Sequence, residues 1–231
     1  MGNNLAKQTS HDGSKFIVPP CQGTIEILYQ DDAILLIQKP TGLLSLSGKN
    51  PANLDSVHYR LVQNFPNALM IHRLDLGTSG IMLIALNKKE NAHLCQQFTN
   101  RTIDKTYTAL LSGRLPEPEG TIDIPIIKDK TNFPYQKVCY ETGKPAQSTY
   151  RVLDYSAETD VSRVLFTPLT GRTHQLRIHS QAIGHSILGC DLYASKAIHA
   201  RSDRLMLHAS SLTFDHPVTT KRITADSPCP F

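Results

Sequence analysis

A polar loop between two apolar segments is the feature that most constrains how this chain can fold. Residues 69–71 are β-prone, and residues 81–86 form a continuous apolar run of the kind found in buried strands. Gly77 and Gly80 mark the loop between them. The pattern predicts strand, loop and strand, with Asp75 held between two core strands. Such loops often carry functional side chains, although an isolated aspartate there is more often a turn cap, with Arg73 paired to it on the surface.

Three further segments have the pattern of helices. They cover residues 54–65, 88–100 and 174–183. Asn53 is predicted to cap the first and Thr173 the third, because short polar side chains satisfy free N–H groups at helix starts. Gly184 stands where a glycine commonly follows the last helical residue.

Alternating or β-branched segments predict strands along the rest of the chain. They lie near residues 25–29, 34–37, 105–111, 121–126, 148–155, 162–167, 212–214 and 221–225. Asp31 and Asp32 separate the first two, which predicts a hairpin. Pro125 favours an edge position for the strand at 121–126.

Charge and cysteine content narrow the class of protein. The formal charge of +4 and a pI of about 8.8 suit an RNA partner without establishing one. The five cysteines are scattered, which argues against a disulfide framework and against a zinc site. No run is long enough for a membrane span, and residues 1–14 lack a signal-peptide pattern. We therefore expect a cytoplasmic protein.

The loop carries a motif of high specificity. His72-Arg73-Leu74-Asp75-x-x-Thr78-Ser79-Gly80 resembles the HRLDxxTSG signature of the RluA-type pseudouridine synthases, which isomerise uridine to pseudouridine in RNA. Lys105-Thr106-Tyr107-Thr108-Ala109 and residues 171–179 (GRTHQLRIH) resemble the second and third motifs of the same family. The resemblance extends over residues 24–227.

The resemblance implies a role for each motif residue. Asp75 would be the nucleophile or the stabiliser of a cationic sugar, and Arg177 would contact it and favour its charged form. The alternative is that Arg177 pairs with a surface carboxylate such as Asp191. Tyr107 would stack on the target base and is a candidate for removing the C5 proton. Arg73 would enter the space that the flipped base leaves. The remaining expected RNA contacts, which could instead order the loop or be solvated, are His72, Lys39, Lys105, Arg172 and His174.

The resemblance also implies an architecture and partners. The expected fold is α+β, with a mixed, mainly antiparallel sheet and flanking helices in two sublobes around a cleft. Residues 1–22 would be a flexible tail or strap, and 23–231 the catalytic domain, without an S4 domain. The GKPA stretch at 143–146 resembles the member acting on 23S ribosomal RNA and a tRNA anticodon stem-loop. No metal or cofactor is expected, and we expect a monomer.

Other classes fit the sequence less well. A serine hydrolase requires G-x-S-x-G, but Ile81 occupies the position of the last glycine after Ser79. A zinc site fails because His174 and His179 would lie about 140° apart on a helix. A glycoside hydrolase needs a second carboxylate, which neither motif supplies. The remaining alternative is a non-catalytic RNA-binding relative of the same fold.

Overall fold

A long sheet forms the frame of the molecule. The computed structural model describes residues 16–231. The strands are β1 (Glu26–Gln30), β2 (Ile34–Lys39), β3 (Leu69–Met70), β4 (Ser79–Ala85), β5 (Asp104–Ser112), β6 (Glu119–Asp123), β7 (Ile126–Lys128), β8 (Gln136–Val138), β9 (Gln147–Ser156), β10 (Val161–Pro168), β11 (Leu207–Asp215) and β12 (Arg222–Asp226). The helices are α1 (Val57–Leu61), α2 (Lys88–Asn100), α3 (Gln175–Ala182) and α4 (Lys196–His199), with a 3₁₀ turn at Pro51–Asn53.

Ten strands form one mixed sheet. Its order is β1-β2-β4-β11-β5-β10-β9-β6, with β3 also paired to β4 and β12 to β11. Of the strand pairs found among residues 16–231, only β4–β11 is parallel. β7 and β8 form a separate hairpin. The predicted α+β class with a mainly antiparallel sheet is confirmed, as are the β1–β2 hairpin and the edge position of β6.

Two predicted helix starts are wrong. Asn53 does not cap a helix: its side chain accepts from the Val18 N–H and donates to the Phe16 carbonyl, so it ties the N-terminal segment down. Ser56 caps α1 instead, and α1 is much shorter than predicted. Thr173 is not a cap either, because α3 begins after His174, whose left-handed backbone turns the chain into the helix.

The N-terminal segment was expected to be a tail or strap. Residues 1–15 lie outside the described part of the chain. Residues 16–25 have no regular secondary structure but lie against the fold. Arg60 donates to the carbonyls of Cys21 and Gly23 and pairs with Asp55. For the described residues, these contacts favour the strap over the flexible tail.

The two larger hydrophobic cores correspond to the two sublobes, and a small third cluster contains Ile126, Ala146 and Ile178. The first is centred on β2 and β4 and includes Leu94 of α2. The second lies between β5, β10 and α3 and includes Phe166 and Leu176. Tyr107 of β5 packs against both cores. The boundary between the sublobes therefore runs past Tyr107.

Candidate active site

The Asp75 loop is held from behind by the segment that follows β2. The Gly42 N–H donates to the Leu76 carbonyl at 2.9 Å, and the Thr41 hydroxyl donates to the Gly77 carbonyl at 2.7 Å. Ser45 both accepts from the Leu74 N–H and donates to its carbonyl. The loop that carries Asp75 is therefore held through hydrogen bonds to its backbone groups, and the Asp75 carboxylate is not used in holding it.

Lys39 also helps to hold the Asp75 loop. It is fully buried, and its Nζ donates to the carbonyls of Pro40, Leu43 and Leu76 at 2.9, 2.7 and 3.2 Å. A buried ammonium cannot reach a phosphate, so the expectation that Lys39 binds RNA is wrong. The other sequence-based possibility, that it orders the loop, is what the geometry supports.

Replacing Lys39 with methionine is expected to destabilise the fold, more strongly at alkaline pH. Burial lowers the pKa of Lys39 to about 7, against 10.5 for an unperturbed lysine. Between these values the unfolded chain binds a proton that the folded chain has lost, so this lysine's contribution to stability rises with pH. Urea unfolding should show a Lys39→Met cost about 2 kcal/mol larger at pH 9 than at pH 7. The exposed Lys89→Met control should show no pH-dependent difference, and a pH-independent cost at Lys39 would contradict the explanation.

A cavity of about 270 Å³ opens where the two sublobes meet. The predicted site residues on its wall are His72, Arg73, Asp75, Lys105, Tyr107, Arg172, His174 and Arg177. The structure therefore brings together every residue predicted for the site except Lys39. Three separate segments supply them: the loop before β4, strand β5, and the turn into α3.

Asp75 is half-buried in this wall. Among residues 16–231, no cation forms an ion pair with its carboxylate. The Asp75 carboxylate nevertheless affects its neighbour Tyr107. Burial raises the pKa of Tyr107, and the negative charge of Asp75 raises it further. Tyr107 is therefore a neutral phenol beside a free carboxylate.

Arg177 departs from its expected partner. Its guanidinium pairs with Asp191, donates from Nε to the Cys190 thiol at 3.3 Å, and lies over the Tyr193 ring. Burial opposes its charge, but the neighbouring Cys190, Asp191 and Asp75 outweigh burial and raise its pKa. The expectation of a direct Arg177–Asp75 contact is wrong for this structure, and the alternative partner, Asp191, is confirmed. The arginine acts on Asp75 through space, as a fixed positive charge.

The remaining cations differ in how accessible they are. Arg73 is exposed at the rim, while Lys105 is half-buried over the Phe98 ring. Arg172 donates to the Pro145 carbonyl at 3.0 Å and remains partly exposed. These three cations give the cavity mouth its positive charge.

His72 is held in its neutral form. Its Nε2 accepts from the Leu83 N–H at 3.0 Å, and its ring stacks on Phe98 with centroids 5.0 Å apart. Burial lowers its pKa to about 3, so it does not contribute positive charge at neutral pH. An RNA contact by His72 would have to use the neutral ring.

Two neighbours of the site, Tyr193 and Gln175, were not predicted from the sequence. Tyr193 contacts both His174 and Arg177. Gln175 accepts from the Thr170 hydroxyl at 2.7 Å and from the Arg172 N–H at 2.9 Å, which shapes the turn into α3. Both lie far from Asp75 in sequence. Only Gln175 stood inside a recognised motif.

The described chain offers no obvious metal site. Within residues 16–231, no group of three or more histidine, cysteine, aspartate or glutamate side chains is placed to hold a metal ion. In the same residues no helix has the length and apolar character to cross a membrane.

Comparison with known proteins places this chain in a family. The family model described as RNA pseudouridylate synthase matches residues 33–182. The dual-specificity RNA pseudouridine synthase RluA of Escherichia coli K12 is 46% identical over 92% of this chain and 97% of its own length. The protein of that name from Yersinia pestis is 49% identical over 83% of this chain and 92% of its own.

Solved structures agree with the sequence relatives. Human RNA pseudouridylate synthase domain containing 1 superposes with a TM-score of 0.77 at 31% identity, over 92% of this chain and 86% of that protein. Human RNA pseudouridylate synthase domain containing 4 superposes with a TM-score of 0.71 at 23% identity, over 89% of this chain and 88% of that protein, which supports the fold. The fold is thus that of an RNA-modifying isomerase. The chain belongs to the RluA-type pseudouridine synthases, which convert uridine in RNA to pseudouridine.

Proposed function

We propose that Asp75 is the nucleophile for isomerisation of a uridine flipped into the cavity. The observation that carries this proposal is an unpaired, half-buried carboxylate on a clamped loop, facing Tyr107 and the fixed charge of Arg177. A carboxylate can attack the nucleoside or stabilise a cationic sugar only when ionised. Arg177 favours that form because an opposite charge nearby stabilises the anion.

Tyr107 is proposed to act on the base. An aromatic ring can stack on a flipped base, which contributes roughly 1–3 kcal/mol. Because Tyr107 is a neutral phenol, its oxygen can accept the C5 proton only through transient loss of its own proton. Removal of the ring is therefore expected to weaken both base binding and the late proton transfer.

The cations at the cavity mouth are proposed to bind the RNA backbone. Arg73, Lys105 and Arg172 line the opening, and phosphate contacts of this kind fix register and orientation. Arg73 is the exposed member closest in sequence to Asp75, so it is the candidate to enter the vacated stack. His72 and His174 would then contact the nucleotide as neutral rings.

The proposed substrates are 23S ribosomal RNA and a tRNA anticodon stem-loop. Relatives of 46% and 49% identity carry the name dual-specificity RNA pseudouridine synthase. We further propose action in the cytoplasm and as a monomer. All five cysteines are free thiols, which fits a reducing compartment. One copy also contains all the proposed catalytic groups.

Pseudouridine mapping tests the substrate proposal. Unmodified 23S ribosomal RNA and tRNA transcripts would be incubated with the protein, treated with carbodiimide and read by primer extension. New stops in both RNAs would support dual specificity, and stops in one would restrict it. Tight binding without any new stop would contradict the proposed chemistry.

Replacing Arg73 with glutamine is expected to weaken RNA binding and reduce its dependence on salt. One lost phosphate contact should reduce the slope of log K against log salt by about 0.7–0.9. The matched control is Lys89→Gln, which also removes one exposed charge but does not line the cavity. Filter binding between low and moderate salt measures both slopes. Equal slopes for the two variants would contradict a phosphate contact at Arg73.

A further inference from the structure

Tyr193 lies where the cavity meets the β7–β8 hairpin. The Gln136 N–H of β8 donates to its hydroxyl at 3.0 Å, and the same hydroxyl lies 2.6 Å from Nδ1 of His174. Tyr135 meets the Tyr193 ring edge-on at 5.8 Å, and the Arg177 guanidinium lies over it at 5.3 Å. One phenol therefore contacts the hairpin and two residues of the cavity wall.

The protons in this cluster can be counted. A phenol has one proton, and its oxygen already accepts from the Gln136 N–H. Burial raises the pKa of Tyr193 to about 12 and lowers that of His174, so both are neutral at physiological pH. If Nδ1 of His174 carried the ring proton, the phenol proton would have no acceptor among residues 16–231. The arrangement that satisfies every group has the phenol donating to a bare Nδ1, with the ring proton on Nε2.

The Nε2–H of His174 has no partner within the described chain. His174 lines the same cavity as Asp75 and precedes α3 in a left-handed conformation (φ 58°). The charged groups acting on its ring are Asp75 and Asp191, which favour protonation, and Arg177 and Arg73, which oppose it. A neutral N–H donor is therefore fixed in the wall of a cavity that holds a free carboxylate.

We propose that Tyr193 is a positioning residue that fixes His174 as an Nε2–H donor, and that this donor binds an acceptor oxygen of the target nucleotide. The proposal rests on the proposed function, in which this cavity receives the uridine. The acceptor is a uracil carbonyl or a phosphate oxygen, since both present the same chemistry to a neutral N–H. Tyr193 also connects the hairpin to the site, so displacement of the hairpin would disturb the donor.

Two replacements of His174 separate the roles of its nitrogens. A glutamine amide can take the place of Nε2, whereas an asparagine amide reaches only the place of Nδ1. Asparagine tolerates the left-handed backbone well, so its failure could not be attributed to strain. His174→Asn should lose about 10–100-fold in kcat, as expected for one lost hydrogen bond to a reacting group, and His174→Gln should lose clearly less. An asparagine variant as active as the glutamine variant would overturn the donor role.

The Tyr193→Phe variant tests the positioning role. It keeps the ring under Arg177 and removes only the hydroxyl. We expect about a 10-fold lower kcat at pH 8, from the loss of one hydrogen bond. The deficit should shrink at lower pH, because a protonated His174 carries a proton on both nitrogens regardless of Tyr193. A deficit that does not change with pH would indicate a merely structural role and would overturn the proposal.

Substrate analogues identify the acceptor oxygen. One RNA carries a single phosphorothioate 5′ to the target uridine, and two others carry sulfur at C2 or C4 of the target base. The advantage of wild type over His174→Asn should shrink only for the RNA whose sulfur replaces the acceptor. An undiminished advantage on all three RNAs would overturn direct binding by His174.

Nitrogen-15 spectra of the histidine rings give a readout that does not need activity. The chain has ten histidines, and the His174 signals are those that disappear in His174→Gln. Wild type should show the Nε2–H tautomer and Tyr193→Phe a mixture. An Nδ1–H tautomer in wild type would overturn the proposal. If no RNA were converted by wild type, the proposed function would fail while these spectra still decided the tautomer.

Discussion

The Asp75→Asn variant is expected to form no detectable pseudouridine while folding and binding RNA like wild type. An amide has nearly the shape of the carboxylate but is neither charged nor nucleophilic. Loss of a nucleophile commonly lowers kcat by about 10⁴-fold or more. The structure explains why the fold should tolerate the change: among residues 16–231 the Asp75 carboxylate has no ion-pair partner to lose, and backbone contacts at Leu74, Leu76 and Gly77 hold the loop.

Release of tritium from RNA labelled at C5 of uridine, under single turnover, measures this effect. Asp154→Asn is the matched control, since Asp154 lies on β9, away from the cavity, and pairs weakly with Arg163 at 3.5 Å. It should retain wild-type rates. RNA affinity and the urea midpoint of Asp75→Asn should be close to those of wild type. Substantial residual conversion by Asp75→Asn would show that another group performs the attack.

The regular elements were largely predictable because their signals are local. α2 runs from Lys88 to Asn100 as predicted, since Asn87 supplies a genuine cap by accepting from two N–H groups of the first turn. β5, β9 and β10 follow their alternating patterns to within about two residues. Gly184 does follow α3, with φ of 86°. In each case the deciding contacts lie within a few residues of the pattern.

The errors come from contacts between distant parts of the chain. Asn53 has cap chemistry, but contacts with Phe16 and Val18 use its side chain. Lys39 has surface chemistry, but the fold buries it, and its Nζ donates to the nearby carbonyls of Pro40 and Leu43 as well as to that of Leu76, 37 residues away. Gly80 was expected to lie in the loop, but it lies inside β4. No local rule contains the information that decides these positions.

The site residues that belong to a recognisable sequence motif could be predicted. Asp75, Tyr107 and Arg177 were predicted from three motifs, and the fold places all three on one cavity wall. Asp191 and Tyr193 lay outside those motifs. Their importance comes from the path of the chain after α3, which returns beneath Arg177. Sequence patterns thus predicted the groups proposed to react, whereas packing decides how those groups are oriented.

Replacing Gly80 with alanine is expected to have the largest effect on stability of any change considered for this chain. β4 lies parallel to β11 at this point, with Gly80 opposite Ala209. A Cβ at Gly80 would lie 2.2 Å from the Ala209 carbonyl oxygen and 2.5 Å from its nitrogen. Both are backbone atoms, so no side-chain rotation relieves the clash. Its φ of +116° adds strain for any residue with a Cβ.

The two strands must therefore move apart in Gly80→Ala, at an expected cost of about 4 kcal/mol or more in the free energy of unfolding. Gly184→Ala separates the two causes, because Gly184 also has a positive φ (+86°) but nothing within 4 Å of its Cβ position. That control should cost only about 1 kcal/mol. Urea unfolding of both variants measures the difference in the free energy of unfolding. Equal costs would mean that backbone strain, rather than the clash with β11, is the reason why position 80 requires glycine.

The pairing of Gly80 with Ala209 also connects the two halves of the active site. β4 continues directly from the Asp75 loop, and Ala209 of β11 pairs on its other side with Tyr107 of β5. Separation of β4 from β11 would move the carboxylate away from the phenol. Any Gly80→Ala protein that folds at low temperature should therefore lose far more activity than RNA affinity. A variant that folded stably with a wild-type rate would contradict both the clash and its role in holding Asp75 beside Tyr107.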